Sequence, residues 1–240
     1  MLLRNPQTMP ALPNTIIISA WKMALHLLVP VIVSILLNEI QSNAFRRLSQ
    51  TLIYLPHFLS WIILAGILID LLSPNGGLVN RLLGLFGAEP IFFLGSNKWF
   101  RFTLVFTDVW KEFGFGTIVY LAAITNIDPT QYEAATIDGA NRFQRIMHVT
   151  LPNMRMIIVL MMVLSLGNVL NAGFDQVYNM YSEAVYSTGD ILDTFIYRLS
   201  FKNGLWGQSA AVSMFKSVVS TLFISVSYLC AYKFADYRVF

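Results

Sequence analysis

The stretch EAATIDGANRFQRIMHVTLP, residues 133–152, is polar and charged, although it joins two strongly apolar segments. Just before it, Asp128-Pro129 is typical of a helix cap followed by a first helical residue. The sequence predicts a short helix through Glu133, a turn or a very close contact at Gly139, and then a second helical piece. At Leu151-Pro152 the chain is expected to restart as a membrane helix. An ordinary interfacial loop lying on lipid headgroups would have a similar composition. The stretch contains small residues that would let another backbone approach closely, namely Ala134, Ala135, Gly139 and Ala140. Arg142 and Arg145 lie at their edge.

The composition requires lipid as the outer solvent of this chain. Hydrophobic residues make up 56% of the 240 residues and charged residues only 12%, about half the charge of a typical soluble domain. Mean hydropathy is +0.61. The low charge excludes a disordered chain or a coiled coil, and the single cysteine excludes a disulfide scaffold. Because no run of four basic residues occurs, we expect no nucleic-acid partner.

Five stretches approach the roughly 20 apolar residues that a membrane helix needs. Since a helix satisfies its own backbone in lipid, the predicted fold class is all-α, a polytopic membrane bundle of about five helices. Asn14 is a plausible cap for the first, Pro56 interrupts the second, and Asp190 is expected to cap a short helix before the last. The five predicted segments are 16–37, 52–72, 99–124, 154–170 and 209–232.

The spacing within 133–152 resembles the cytoplasmic loop of type I ABC-importer permeases, whose pattern is EAA, three residues, Gly, nine residues, Ile, one residue, Leu-Pro. Here Glu133 is followed at the matching positions by Gly139, Val149 and Leu151-Pro152, and Val149 in place of Ile is the one departure. Flanking stretches such as YLAAITNIDPTQYEAATIDGA and GLWGQSAAVSMFKSVVS are similar to the carbohydrate-uptake branch, and the similarity covers roughly residues 14–240.

The resemblance implies a permease subunit of the plasma (bacterial inner) membrane, with 126–152 as a cytoplasmic coupling loop that docks on an ATPase dimer. It also implies a second permease subunit, an extracytoplasmic solute-binding protein and an oligosaccharide substrate. Lysine and arginine counts on the two sides, seven against six, do not decide the orientation. The residues that the resemblance assigns to ATPase coupling are Glu133, Ala134, Ala135, Asp138, Gly139, Ala140, Arg142, Leu151 and Pro152.

Members of this branch usually have six membrane helices, whereas five are found here. With the coupling loop inside, residues 1–13 become an extracytoplasmic segment and 14–240 the transmembrane permease domain. The simplest interpretation is that an upstream helix is absent from this chain, and a genuine five-helix permease is the alternative.

Charged side chains within the third segment indicate a solute route, because a lysine at a helix centre costs about 2.5–3.5 kcal/mol and normally faces protein or water. Asp108, Lys111 and Phe115 share one face, with Glu112 beside them. A purely structural Asp108–Lys111 pair would give the same pattern. The resemblance supports the pathway interpretation, because the sugar contacts of this family cluster in this helix.

The fourth segment carries a weaker signal of the same kind at its outer end. Ser165, Asn168 and Asn171 recur at three-residue intervals, and Phe174 and Asp175 follow. Amides in a membrane helix either bond to neighbouring helices or line a wet cavity. We therefore predict that these five residues belong to the substrate pathway.

No catalytic constellation, metal site or cofactor site is expected. The three histidines are scattered, and together with one cysteine they lack metal-ligand spacing. A GxxxxGK[ST] loop is absent, so ATP hydrolysis must come from a partner. The predicted function is the permease subunit of an ATP-driven oligosaccharide importer. The alternatives are an acidic-sugar or glycoconjugate permease, a secondary transporter or channel, and a membrane scaffold.

Overall fold

The computed structural model describes residues 10–235, with the side chains described through residue 229. Every regular element in this range is helical, in agreement with the all-α prediction. The first six helices are α1 (Ala11–Asn38), α2 (Asn43–Tyr54), α3 (Trp61–Leu71), α4 (Leu78–Leu85), α5 (Phe100–Thr125) and α6 (Pro129–Ile137). The next six are α7 (Arg142–Arg145), α8 (Leu151–Leu166), α9 (Phe174–Met180), α10 (Tyr186–Gly189), α11 (Leu192–Tyr197) and α12 (Trp206–Ala235).

Within residues 10–235, three helices are long and apolar enough to cross a membrane: Ala11–Asn38, Arg142–Leu166 and Trp206–Leu229. A bent pair, Asn43–Phe58 and Trp61–Leu71, forms a fourth span if the two helices cross together. With 26 residues, α5 is long enough for a fifth, at about 1.5 Å per residue. Its apolar character is lowered by Arg101, Asp108, Lys111 and Glu112.

The predicted interruption of the segment 52–72 near Pro56 is confirmed, because two helices meet there at 103°. Residues Leu55–Phe58 form a 3-10 turn, and Pro56 within it cannot supply the backbone N–H that a continuing α-helix needs. The hydroxyl of Ser60 then caps the new helix by accepting from the amide of Ile63 at 3.4 Å.

The described chain forms two compact units. The first unit comprises residues 10–22, 59–108 and 168–223, and the second comprises 23–58, 109–167 and 224–235. In the first unit an apolar core contains Ile18, Leu64, Phe100, Leu104 and Val177, each at most 2% exposed. In the second unit Tyr120, Ile124 and Met154 form the core, and the partly buried Val31 and Ile35 pack against them.

Two predicted caps are corrected within the first unit. The first helix begins at Ala11, inside the segment predicted as 1–13, whose first nine residues lie outside the described range. Asn14 is 1% exposed and does not cap it; its amide donates to the carbonyls of Ser187 and Asp190 at 3.2 and 3.0 Å. Asp190 likewise does not cap α11, whose N-cap is Ile191, because its carboxylate binds Arg198 at 2.6 Å.

Candidate functional site: the coupling loop and two polar clusters

The first half of the predicted coupling loop is the helix α6, and its start is as predicted. Asp128 is the N-cap and Pro129 the first helical residue. The carboxylate of Asp128 accepts a hydrogen bond from the amide of Thr130 at 2.9 Å, and this bond lowers the pKa of Asp128 below its ordinary value. The local Asp-Pro signal therefore fixes where the loop becomes helical.

Of the two alternatives at Gly139, the structure shows the turn and not the very close contact, and backbone geometry favours the glycine there. Its φ is +78°, a conformation that side chains with a Cβ adopt only at a cost. The amide of Ala140 donates to the carbonyl of Ala135 at 2.9 Å, which closes the end of α6. No atom lies within 4 Å of the position a Cβ would take, so the constraint is conformational rather than steric.

The second half of the loop continues into the membrane without a break, which corrects the prediction of a restart at Leu151-Pro152. Asn141 and Gln144 form a reciprocal capping box at the start of α7. A π-helical turn over Ile146–Thr150 then joins α7 to α8. Such a turn accommodates Pro152 because it changes which carbonyl each amide meets. The fourth predicted span thus begins at Arg142 rather than at residue 154.

Two side-chain contacts hold the two halves of the loop together. The Tyr132 hydroxyl lies 3.0 Å from the Thr150 hydroxyl. The Asn153 amide donates to Gln131 at 2.8 Å. The loop is therefore a folded hairpin with a defined outer surface.

That outer surface includes two large apolar residues that sequence reasoning missed. Ile137 is 86% exposed and Phe143 is 69% exposed. The available signal was their position as bulky apolar residues in an otherwise polar loop. Of the predicted coupling residues, Ala135, Ala140 and Leu151 are half-buried, and those exposed are Glu133, Ala134, Asp138, Gly139, Arg142 and Pro152.

In the second unit, three predicted pathway residues meet a fourth residue, His57. The His57 Nδ1 atom lies 2.6 Å from a carboxylate oxygen of Glu112, and the His57 ring stacks on Phe115 at 4.1 Å between centroids. Lys111 donates to Glu112 at 2.6 Å and to the carbonyl of His57 at 3.0 Å. In the sequence, His57 directly follows Pro56, where the second segment is interrupted, and it was not predicted to belong to the pathway.

In the first unit, Asp108 belongs to a buried polar cluster with two residues distant in sequence. Lys22 Nζ lies 3.2 Å from the Asp108 carboxylate and donates to Gln176 at 2.5 Å and to the carbonyl of Ala172 at 2.8 Å. Gln176 in turn donates to the Thr107 hydroxyl at 2.8 Å. Burial of an ionic group in lipid demands partners of this kind.

The idea that Ser165, Asn168 and Asn171 recur along one membrane helix is wrong for the two asparagines, because α8 ends at Leu166. The Asn171 amide donates to the carbonyl of Asn168 at 2.8 Å, so both asparagines lie in a turn. Phe174 and Asp175 then begin α9. The fourth predicted segment, 154–170, was too long because the apolar run continues past the end of α8 without a strong stop signal.

A row of aromatic rings, also missed from the sequence, follows in the first unit. Phe174 stacks on Tyr178 with centroids 5.3 Å apart, and Tyr178 meets Tyr197 at 4.8 Å. Phe201 lies 5.0 Å from Tyr197, and Trp206 follows at 5.2 Å. Phe201 and Trp206, at one end of the row, are 67% and 60% exposed.

A family model described as the binding-protein-dependent transport system inner membrane component matches residues 26–239. The chain belongs to this family. It is thus a multi-pass, inner-membrane permease component of an ABC transporter, and the ATPase is a separate subunit. Among residues 10–235, no group of three or more His, Cys, Asp or Glu side chains is placed to hold a metal ion.

Two relatives from one organism are similar to nearly the whole of this chain. The chain is 38% identical over 239 residues to the polygalacturonan/rhamnogalacturonan transport system permease protein YteP of Bacillus subtilis (strain 168), covering 100% of this chain and 74% of that protein. It is 39% identical to protein LplB of the same organism, covering 98% of this chain and 74% of that protein.

A solved structure agrees in fold as well as in sequence. It is a chain of a bacterial ABC transporter involved in the import of the acidic polysaccharide alginate. The TM-score is 0.93 at 35% identity, over 97% of this chain and 82% of that chain. The all-helical permease fold predicted from the sequence is therefore confirmed.

Proposed function

We propose that this permease translocates oligosaccharides, with uronate-containing chains as its substrate class. The observation that carries the proposal is the match to the alginate transporter, at 35% identity over nearly the whole chain. The similarity to a polygalacturonan/rhamnogalacturonan permease supports the same class, because alginate and polygalacturonan are both acidic polysaccharides. The aromatic row that starts at Phe174 suits pyranose rings, which present apolar CH faces.

The residues of the two polar clusters and of the α8–α9 turn are proposed to line the solute route. In each cluster a lysine has a carboxylate within 3.2 Å: Lys22 with Asp108, and Lys111 with Glu112. Each ion pair is therefore neutral and forms no cationic trap. We accordingly assign the selection of acidic chains to the extracytoplasmic binding protein, and passage of the chain to this subunit.

The loop 126–152 is proposed to be cytoplasmic and to dock in a cleft of the ATPase subunit. Its exposed apolar residues, Ile137 and Phe143, have the size and chemistry of interface anchors. ATP-driven closure of an ATPase dimer would move the loop and rock the helices of this subunit and of a second permease subunit. This is a two-state rigid-body transition.

Co-purification tests the docking assignment, and the chain offers a matched control. Gly139→Asp places a charge on the proposed contact, whereas Gly87→Asp makes the same substitution at φ +77°, also with no atom within 4 Å of the added Cβ. Both variants carry the same backbone penalty. We expect the parent and Gly87→Asp to retain the ATPase subunit after detergent extraction, and Gly139→Asp to lose it. Equal retention by all three would refute the assignment.

Uptake by the reconstituted importer tests the substrate class. Proteoliposomes that contain both permease subunits, the ATPase and the binding protein should accumulate labelled oligouronate only when ATP is enclosed. A neutral oligosaccharide of equal length should compete poorly. Uptake that is independent of ATP would instead indicate a secondary transporter or channel, and equal competition would refute the acidic class.

A further inference from the structure

A cleft of about 300 Å³ lies in the second unit, behind the coupling loop. Three arginines from two helices line it: Arg46 in the first turn of α2, and Arg142 and Arg145 of α7. Glu39 is the one acidic residue among the lining residues, and the Tyr132 and Thr150 hydroxyls complete the polar wall. Three guanidinium groups against one carboxylate leave the cleft with surplus positive charge.

Two of the three arginines are held by hydrogen bonds to uncharged groups, which position them without neutralising their charge. Arg46 donates to the backbone carbonyls of Asn38 and Ile40 at 3.2 and 2.6 Å, and Arg145 contacts the Thr136 hydroxyl at 3.4 Å. Within residues 10–235, none of the three arginines forms an ion pair with a carboxylate. The Nε atom of Arg46 is buried and has no acceptor within the described residues. Positioned guanidinium donors without a counter-charge are what an oxyanion requires.

The depth of the cleft relative to the spans indicates the source of that anion. The span Ala11–Asn38 ends at the cleft, and the span Arg142–Leu166 begins there. A site at the ends of two spans lies at headgroup level, where basic pockets between membrane helices bind anionic headgroups. Arginine suits phosphate because its planar fork donates two parallel hydrogen bonds.

We propose that this cleft binds a phosphate group, supplied by the headgroup of an anionic phospholipid. A bound phosphate would bridge Arg46 to Arg142 and Arg145, and so fasten the coupling loop to the end of α1. The assignment is independent of which sugar is carried. It makes the lipid composition of the inner leaflet a determinant of how firmly the loop is held.

One arginine inside the cleft and one outside it supply a matched pair of variants. Arg145→Gln removes a cleft guanidinium that does not hold the α1 end, whereas Arg47→Gln removes an exposed arginine that does not line the cleft. The intact importer, purified in mild detergent, is equilibrated with phosphatidylglycerol or phosphatidylcholine, and the retained lipid is counted by native mass spectrometry. We expect the parent and Arg47→Gln to bind phosphatidylglycerol at least about tenfold more tightly than phosphatidylcholine, and Arg145→Gln to lose that preference.

A second arm distinguishes the lipid from the free ion. Lipid-depleted importer is titrated with inorganic phosphate while its thermal unfolding is followed. Stabilisation of the parent but not of Arg145→Gln, without any phosphatidylglycerol preference, supports the anion site with dissolved phosphate as its source. Equal binding of the two lipids together with no effect of phosphate would overturn the proposal. So would equal losses in Arg47→Gln and Arg145→Gln, or lipid retention only after the ATPase subunit has been stripped away.

Discussion

Gly114 lies where the backbones of α5 and α2 approach very closely in the second unit. A Cβ built on Gly114 would be 2.0 Å from the carbonyl oxygen of Ile53 and 2.6 Å from its carbonyl carbon. Real Cβ atoms essentially never come closer than 3.0 Å. Gly114→Ala must therefore push α5 and α2 at least 1.0 Å apart, the difference between 3.0 and 2.0 Å.

The size of the effect follows from two opposing terms. Overpacking of this kind costs about 1–3 kcal/mol, whereas exchanging glycine for alanine inside a helix gains up to about 1 kcal/mol. Gly66 in α3 has no atom within 4 Å of an added Cβ, so Gly66→Ala receives only the gain. The difference in unfolding free energy between the two variants isolates the overpacking term, about 1–3 kcal/mol.

Thermal unfolding of the detergent-solubilised permease measures that difference, and uptake measures its consequence. Phe115 and Glu112, within two positions of Gly114 in the chain, both contact His57. We therefore also expect Gly114→Ala to slow ATP-driven uptake, whereas Gly66→Ala should not. Equal melting temperatures for the two variants would refute the close approach. Reduced stability with normal uptake would show that the close packing at Gly114 does not affect the proposed solute route.

Three further predictions concern loops. Asp190→Ala leaves Arg198 without its salt bridge. Because breaking a buried pair costs about 3–5 kcal/mol, we expect a loss of stability of that size in thermal unfolding. A loss below about 1 kcal/mol would contradict this prediction. The Asn80 side chain bonds to the backbone of Ile91 at 2.8 and 3.0 Å and to the carbonyl of Ser73 at 3.0 Å. Asn80→Ala should therefore lower the free energy of unfolding by about 1–3 kcal/mol, and faster proteolysis of residues 73–91 is the readout. The lowered pKa of Asp128 means that its capping contribution to stability is present above its unfolded pKa and is lost as pH falls through the folded one. The hydrogen-exchange protection of α6, measured against the intrinsic exchange rate at each pH, should therefore fall in acid. A fall of the same size in Asp128→Asn would contradict this.

The parts of the proposed coupling loop whose structure could be predicted depend on local chemistry. The Asp128-Pro129 cap and the turn at Gly139 each involve residues within a few positions of one another, so their signals are complete in the sequence. The helical piece at Arg142 follows from the same kind of signal, because Asn141 caps it through Gln144.

The polar clusters could not be predicted because their partners are remote in the chain. Lys22 binds Ala172 across 150 positions, and Asn14 binds Asp190 across 176. Each residue looks isolated in the sequence, and Asn14 resembled a cap for that reason. The end of α8 was misplaced for another reason: the apolar pattern continues through Val169 and Leu170, while the helix stops at Leu166.

The unbroken run from Arg142 to Leu166 has a mechanical consequence. Its 25 residues form a rod of roughly 37 Å at 1.5 Å per residue, and no hinge separates the end in the loop from the end in the span. A torque applied at Arg142 therefore turns the whole rod, whereas a flexible joint at Leu151-Pro152 would have dissipated it. The π turn lies within the rod, and its wider winding is the one place in this lever where the register between the two ends could be reset.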